Sequence, residues 1–219
     1  MITTRTTLTT IDGVTIVGDF SMPKGAAKAV LLLHMMPATR ESFSPLAQAL
    51  NKTGVATLAI DLRGHGESTM QGNTRLNFAT FSDRHHQASR LDVDVALNFL
   101  KSKGFEEQTI SFVGASVGAN LSIDALSRYA KTSAAVLISP GLDYRGIKIE
   151  ASLKNTSASQ RIWLVSSEGD SYSADSVRTL NKLRPDITQL TFLSGRDHGT
   201  ALFKSHPTLI GDIMEFLTK

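Results

Sequence analysis

The chain is 219 residues long, with 23 Lys and Arg against 20 Asp and Glu, a net charge of +3, and no cysteine. The missing thiols exclude disulfides, thiolate metal sites and cysteine nucleophiles, and the small, scattered basic excess leaves no nucleic-acid footprint. With 41% hydrophobic and 20% charged residues, the composition is that of a globular chain able to bury a core without covalent staples.

The opening Met-Ile-Thr-Thr-Arg-Thr-Thr is polar and β-prone, without the apolar core of a signal peptide. The longest apolar runs, such as 29–33, are far too short to cross a bilayer. The expectation is a cytoplasmic protein with no membrane partner. Residues 6–11 and 14–20 flank Asp12-Gly13 and predict a hairpin. The continuous apolar run at 29–34 predicts a strand buried on both faces. Phe43, Leu46, Ala47 and Leu50 stand at helical spacing, so 40–52 predicts a helix that Gly54 ends.

The alternation then continues. Strands are expected at 55–61, 109–114, 134–139, 162–166 and 188–193, and helices around 91–104, at 117–129, 174–183 and 209–217. Strands alternating with helices of this length imply parallel neighbours joined by crossovers. The expected architecture is α/β: a mostly parallel sheet of about eight strands flanked by roughly five long helices, in one domain over 1–219. Two polar stretches, 63–87 and 141–160, break the alternation. Both follow predicted strands, and ligands of parallel sheets bind beyond strand carboxyl ends, so both are candidate rims of a site.

Gly114-Ala115-Ser116-Val117-Gly118 lies between a predicted strand and a predicted helix. A serine exposed on so sharp a turn needs small neighbours, and the helix N-terminus favours developing negative charge. The plain alternative is a glycine-rich turn with an N-capping serine. A serine nucleophile needs a base and an orienting acid. His198, just after the last strand, falls at the same sheet edge as Ser116, whereas His206 reads as structural beside the last helix. Asp170, after the strand at 162–166, is favoured as the acid over Asp143 and over Asp175, which is expected to start a helix. Glu168 and Asp197 read as solvated loop charges.

The order Ser116, Asp170, His198 along alternating strands and helices resembles the α/β-hydrolase superfamily over nearly the whole chain. His34 stands where that superfamily has the histidine of its His-Gly segment, and Asp61-Leu-Arg-Gly-His-Gly-Glu-Ser68 is similar to the loop after its fourth strand. The resemblance implies an oxyanion hole made by the N–H groups of Met36 and Val117, with Met35 as the second choice to Met36. Methionine replaces the usual glycine there, and either methionine alternatively fills core space. His65 is expected to make a structural hydrogen bond. His85 and His86 with Asp83 match no strong zinc pattern and read as a solvated loop.

The implied activity is a serine hydrolase cleaving small acyl esters through an acyl-enzyme, with no metal and no cofactor. Its partner would be a small-molecule acyl ester. A thioesterase or peptidase on the same triad, and a non-catalytic binding protein on the same fold, are the alternatives. Residues 141–160 leave about 20 positions where larger relatives carry a helical cap. The expectation is therefore an open, cap-less site.

Overall fold

The computed structural model describes residues 3–218; Met1, Ile2 and Lys219 lie outside it, and with them the first two residues of the polar N-terminal stretch. The chain opens with antiparallel β1 (Thr3–Thr9) and β2 (Val14–Ser21). The first strand is displaced from the expected 6–11, because Thr10 is drawn into the turn. Its Oγ accepts from the Val14 N–H at 2.8 Å and its carbonyl accepts from the Gly13 N–H at 2.9 Å.

Then come β3 (Ala29–Leu33), α1 (Ser44–Lys52) and β4 (Ala56–Ile60). The polar stretch that follows is not a plain loop. It adds β5 (Met70–Gln71) and β6 (Thr74–Arg75) to the sheet and winds into α2 (Asp83–Gln87). Next are α3 (Arg90–Ser102), β7 (Ile110–Ala115), α4 (Val117–Arg128) and β8 (Ala134–Ile138). Residues 141–160 also carry structure, a hairpin of β9 (Asp143–Tyr144) and β10 (Ile147–Lys148) followed by α5 (Glu150–Asn155). The chain closes with β11 (Arg161–Ser167), α6 (Ser171–Leu183), β12 (Thr188–Leu193), α7 (Leu202–Ser205) and α8 (Thr208–Thr218). Asp175 is therefore inside a helix rather than at its start.

The main sheet runs β12-β11-β8-β7-β3-β4-β2-β5-β6, with β1 paired to β2. All neighbours from β12 to β4 are parallel, and β2 turns antiparallel. The central strands are buried on both faces, and their pleat sends alternate residues into two cores. Leu31 and Leu33, Phe112, Leu137 and Leu164 face one core with Leu97, Leu100, Leu121 and Val177 of the covering helices. Val30 and Leu32, Val113, Val136 and Val165 face the other with Leu46, Leu50, Phe203 and Ile213. This is the α/β-hydrolase fold without a large cap.

Among the described residues, no helix is long and apolar enough to cross a membrane.

Candidate active site

From β3 the sheet grows toward β4, and from β7 it grows toward β8. The chain thus leaves the carboxyl ends of two adjacent strands in opposite directions, opening a crevice there. Into it run His34 to Pro37 from β3 and Ser116 to Gly118 from β7.

Ser116 has φ 54° and ψ −119°, a left-handed backbone rare for a side-chain-bearing residue, and it directly precedes α4. Its N–H is fixed on the Ile138 carbonyl at 2.8 Å. The flanking glycines make the turn possible. A Cβ on Gly114 would lie 2.1 Å from the Gly118 carbonyl oxygen, and one on Gly118 would lie 2.1 Å from that of Leu33. Val117 is the first residue of α4, so its N–H has no intrahelical acceptor.

His34 is wholly buried and fixed at both ring nitrogens. Nε2 accepts from the Leu62 N–H at 2.9 Å, so Nδ1 carries the proton and donates to the Met35 carbonyl at 2.8 Å. Burial, followed by the neighbouring His65, pushes its pKa down to about 4, which keeps this tautomer neutral. In a planar trans peptide the carbonyl and the following N–H point opposite ways. Holding the Met35 carbonyl therefore aims the Met36 N–H away from His34. Neither Met35 nor Met36 has a positive φ, so the backbone here does not call for glycine. Met35 packs toward one core and Met36 toward the other.

The loop after β4 is locked by its own polar groups. The Asp61 carboxylate accepts from the N–H of Arg40 and of Glu67, each at 2.8 Å, and pairs with the Arg40 guanidinium. Ser68 bridges the Asp61 carbonyl, at 2.7 Å, to the Val17 N–H, at 2.8 Å. His65 donates to the Arg63 carbonyl at 3.0 Å and stacks on Phe78, the structural role expected of it.

His198 follows β12 and Asp170 follows β11, as N-cap of α6. His198 Nδ1 donates to Asp170 Oδ2 at 2.6 Å, and Nε2 has no hydrogen-bond partner among the described residues. The next residue, Gly199, sits against Ala115 and Met35 and donates its N–H to Ser139 Oγ at 3.0 Å. The histidine loop is thereby laid beside the serine turn. Among the described residues no hydrogen bond joins Ser116 Oγ to the His198 ring.

The other acids are elsewhere. The Asp143 carboxylate accepts from the Gly146 N–H at 2.7 Å, within its own hairpin. Asp175 is exposed and pairs with Arg178 at 2.9 Å. Glu168 is exposed and Asp197 half-buried. His206 caps α7 and lies near Ser194 and Ser205.

Two expectations are corrected. His85 and His86 do not lie in a solvated loop but on α2. His85 closes a capping box with Ser82, and His86 is buried, its pKa pushed down to about 4 by burial and then by the Arg145 charge. Among the described residues, no group of three or more His, Asp or Glu is arranged to hold a metal. The site is also less open than a bare rim. The β9–β10 hairpin carries Tyr144 over it, and Ser116 is only 9% exposed.

Tyr144 is the residue that sequence reasoning missed. Its hydroxyl pairs with Ser173 Oγ at 3.0 Å and lies close to the Ser116 hydroxyl, and its ring meets that of His198 edge-on. Burial above all, with the Asp170 charge behind it, raises its pKa and keeps the phenol protonated. Its only sequence signal is the turn-like Asp143-Tyr-Arg-Gly146.

A cavity of about 460 Å³ adjoins this edge, lined by Met36, Pro37, Phe78, Ala79, Phe81, His86 and Arg145. A larger one, about 630 Å³, lies at the amino ends of β11 and β12, away from Ser116.

The sequence profile of the hydrolase family described as serine aminopeptidase, S33, matches residues 24–186. Among curated proteins no relative matches. Among solved structures, the chain is similar to the Pyrococcus furiosus esterase Pf2001, with a TM-score of 0.78 at 18% identity over 99% of this chain and 92% of that one. It is similar to the α/β hydrolase GrgF from Penicillium sp. sh18, at 0.80 and 15% identity over 99% and 98%. It is also similar to Est1E from Butyrivibrio proteoclasticus, solved with ferulic acid bound, at 0.75 and 16% identity over 96% and 97%. At these identities the likeness is one of fold.

Proposed function

The chain belongs to the hydrolase family described as serine aminopeptidase, S33, and from that premise we propose that it is a serine hydrolase cleaving small acyl esters, with residues 1–219 as one catalytic domain. The observation that carries the reading is the His198–Asp170 pair at 2.6 Å beside a serine held at a left-handed strand-to-helix turn.

Ser116 Oγ attacks the ester carbonyl while His198 Nε2 takes its proton. Asp170 holds the imidazole in the required tautomer and balances the imidazolium charge. The N–H groups of Met36 and Val117 receive the oxyanion, and the fixed Met35 carbonyl supports that role for Met36 rather than Met35. The tetrahedral intermediate collapses, the carbon–oxygen bond to the alcohol breaks, and His198 returns the proton to the leaving oxygen. Water then attacks the acyl-enzyme, again with His198 as base, and releases the acid and Ser116. Each oxyanion donor is worth about a hundredfold or more in rate. Tyr144 covers Ser116 and limits water there. No step calls for a cofactor.

The family description also names an aminopeptidase. A substrate presenting a free amine wants an acidic partner, but the cavity beside Met36 is lined by Arg145 and by no carboxylate. That favours an ester over an N-terminal peptide. The test is a panel of p-nitrophenyl acyl esters, thioesters and aminoacyl anilides. Ester turnover is expected to lead the panel and to fall at least about 10³-fold in Ser116→Ala. Ser116→Ala retaining more than a few per cent of wild-type turnover would contradict the assignment.

A further inference from the structure

Arg145 occupies an odd place. It forms the two-residue loop of the β9–β10 hairpin with Gly146, and both have positive φ, 55° and 76°. Such loops favour Asn-Gly, because in the left-handed region a Cβ crowds the following carbonyl and only Gly and, through its local hydrogen bonds, Asn sit there readily. The hairpin nevertheless holds it there. Asp143 accepts from the Gly146 N–H, and the Tyr172 hydroxyl bonds both the N–H and the carbonyl of Asp143, each at 3.0 Å. Among the described residues the Arg145 guanidinium has neither an ion-pair nor a hydrogen-bond partner. Gln87 and Asp83 pack against Gly146, and among the described residues no ion pair joins Asp83 to Arg145.

The cavity that Arg145 lines is apolar on its other sides: Met36, Pro37, Ala79 and the rings of Phe78 and Phe81. Its remaining polar group is His86, buried and without a side-chain hydrogen bond among the described residues. Phe81 packs edge-on against the His86 ring. An apolar pocket with one unpaired cation and one neutral N–H donor is built for an anion carried on an apolar body. Met36 and Pro37 belong to the segment that runs beside Ser116, and Tyr144, next to Arg145, lies close to the Ser116 hydroxyl, so such a ligand lies at the same edge as the serine.

Resting on the serine-hydrolase reading, we infer that the preferred substrate is a hemiester: an ester whose apolar chain ends in a free carboxylate, bound between Phe78 and Phe81 with its charge on Arg145 and His86. The reaction is the acyl transfer already described. The carboxylate takes no part in bond making and acts only in binding.

The probes are monoethyl esters of the C4 to C8 dicarboxylic acids, each beside the ethyl ester of the monocarboxylic acid of equal length, with acid release followed by pH-stat. The best hemiester should exceed its neutral partner in kcat/KM by tenfold or more. Arg145→Asn suits the left-handed loop and removes the charge without unfolding the hairpin. It should lower kcat/KM for hemiesters by at least tenfold, mainly through KM, because a remote contact binds ground and transition states alike. The neutral esters should change by less than twofold. Equal losses on both series, or a wild-type enzyme that prefers the neutral series, would overturn the inference and leave the serine-hydrolase reading standing. Hydrolysis of neither series would overturn both.

Discussion

His198 presents a free Nε2 because Asp170 holds the other nitrogen at 2.6 Å. Asp170→Asn keeps the volume but frees the ring to take the wrong tautomer, so turnover of p-nitrophenyl butyrate should fall by about 10³ to 10⁴-fold. Asp143→Asn and Asp175→Asn are the matched comparisons. The first carboxylate serves its own hairpin turn and the second an exposed pair with Arg178. Both should stay within a fewfold of wild type. A crippling Asp143→Asn beside a mild Asp170→Asn would move the acid to the hairpin. His34 makes a second residue-scale prediction, in stability. Its folded pKa is about 4, against about 6.5 for an unperturbed histidine. Between those values the unfolded chain binds a proton that the folded one refuses. His34 therefore contributes fully above about pH 6.5, and stability falls on acidification toward pH 4 by up to about 1.4 kcal/mol per unit. His65 and His86, also depressed, steepen the fall. Urea midpoints at pH 7.5 and 5.5 read it, with buried Asp92, pushed up to about 6, offsetting part of the fall; in Asp92→Asn, equal midpoints would contradict the buried neutral histidine.

At the scale of elements, the turn from β7 into α4 rests on how closely two backbones approach. A methyl on Gly118 would sit 2.1 Å from the Leu33 carbonyl oxygen, and a backbone atom cannot swing aside. Gly118→Ala should cost about 3 kcal/mol or more and disturb the Val117 N–H with it. Gly211, exposed on α8 with nothing within 4 Å of a new Cβ, receives the same substitution with the opposite sign. Gly211→Ala should stabilise by up to about 1 kcal/mol through helix propensity alone. Chemical denaturation of both checks the pair, and a neutral Gly118→Ala would sink the packing argument. The same contrast explains what could be read in advance. The Gly-Ala-Ser-Val-Gly turn is a local steric requirement written in small residues, and the long strands are written in unbroken apolar runs. The placement of Asp170 and His198 just beyond strand ends was legible because each follows such a run. Tyr144, Arg145 and His86 were not. Two-residue strands have no period to detect, Arg-Gly departs from the usual Asn-Gly hairpin signal, and Asp83-Arg-His-His-Gln87 is too short and polar to show a helical face.

Over the whole molecule, the sheet reverses its direction of growth between β3 and β7, and this single topological fact brings distant parts of the chain to one edge. The Met35–Met36 segment, the Ser116 turn, Asp170 and His198 come from four different strand ends. The two cores hold those ends in place from both faces. The 143–148 hairpin, standing where a cap would be, closes over them with Tyr144. On the proposed function, this convergence makes Ser116 a nucleophile. A fluorophosphonate reacts covalently with a serine so activated far faster than with an ordinary hydroxyl. Incubation with such a probe, followed by intact-mass analysis and peptide mapping, should show one adduct, on Ser116. It should be abolished in Ser116→Ala and strongly slowed in Asp170→Asn. An unlabelled wild-type chain, or an adduct on another serine, would contradict the account.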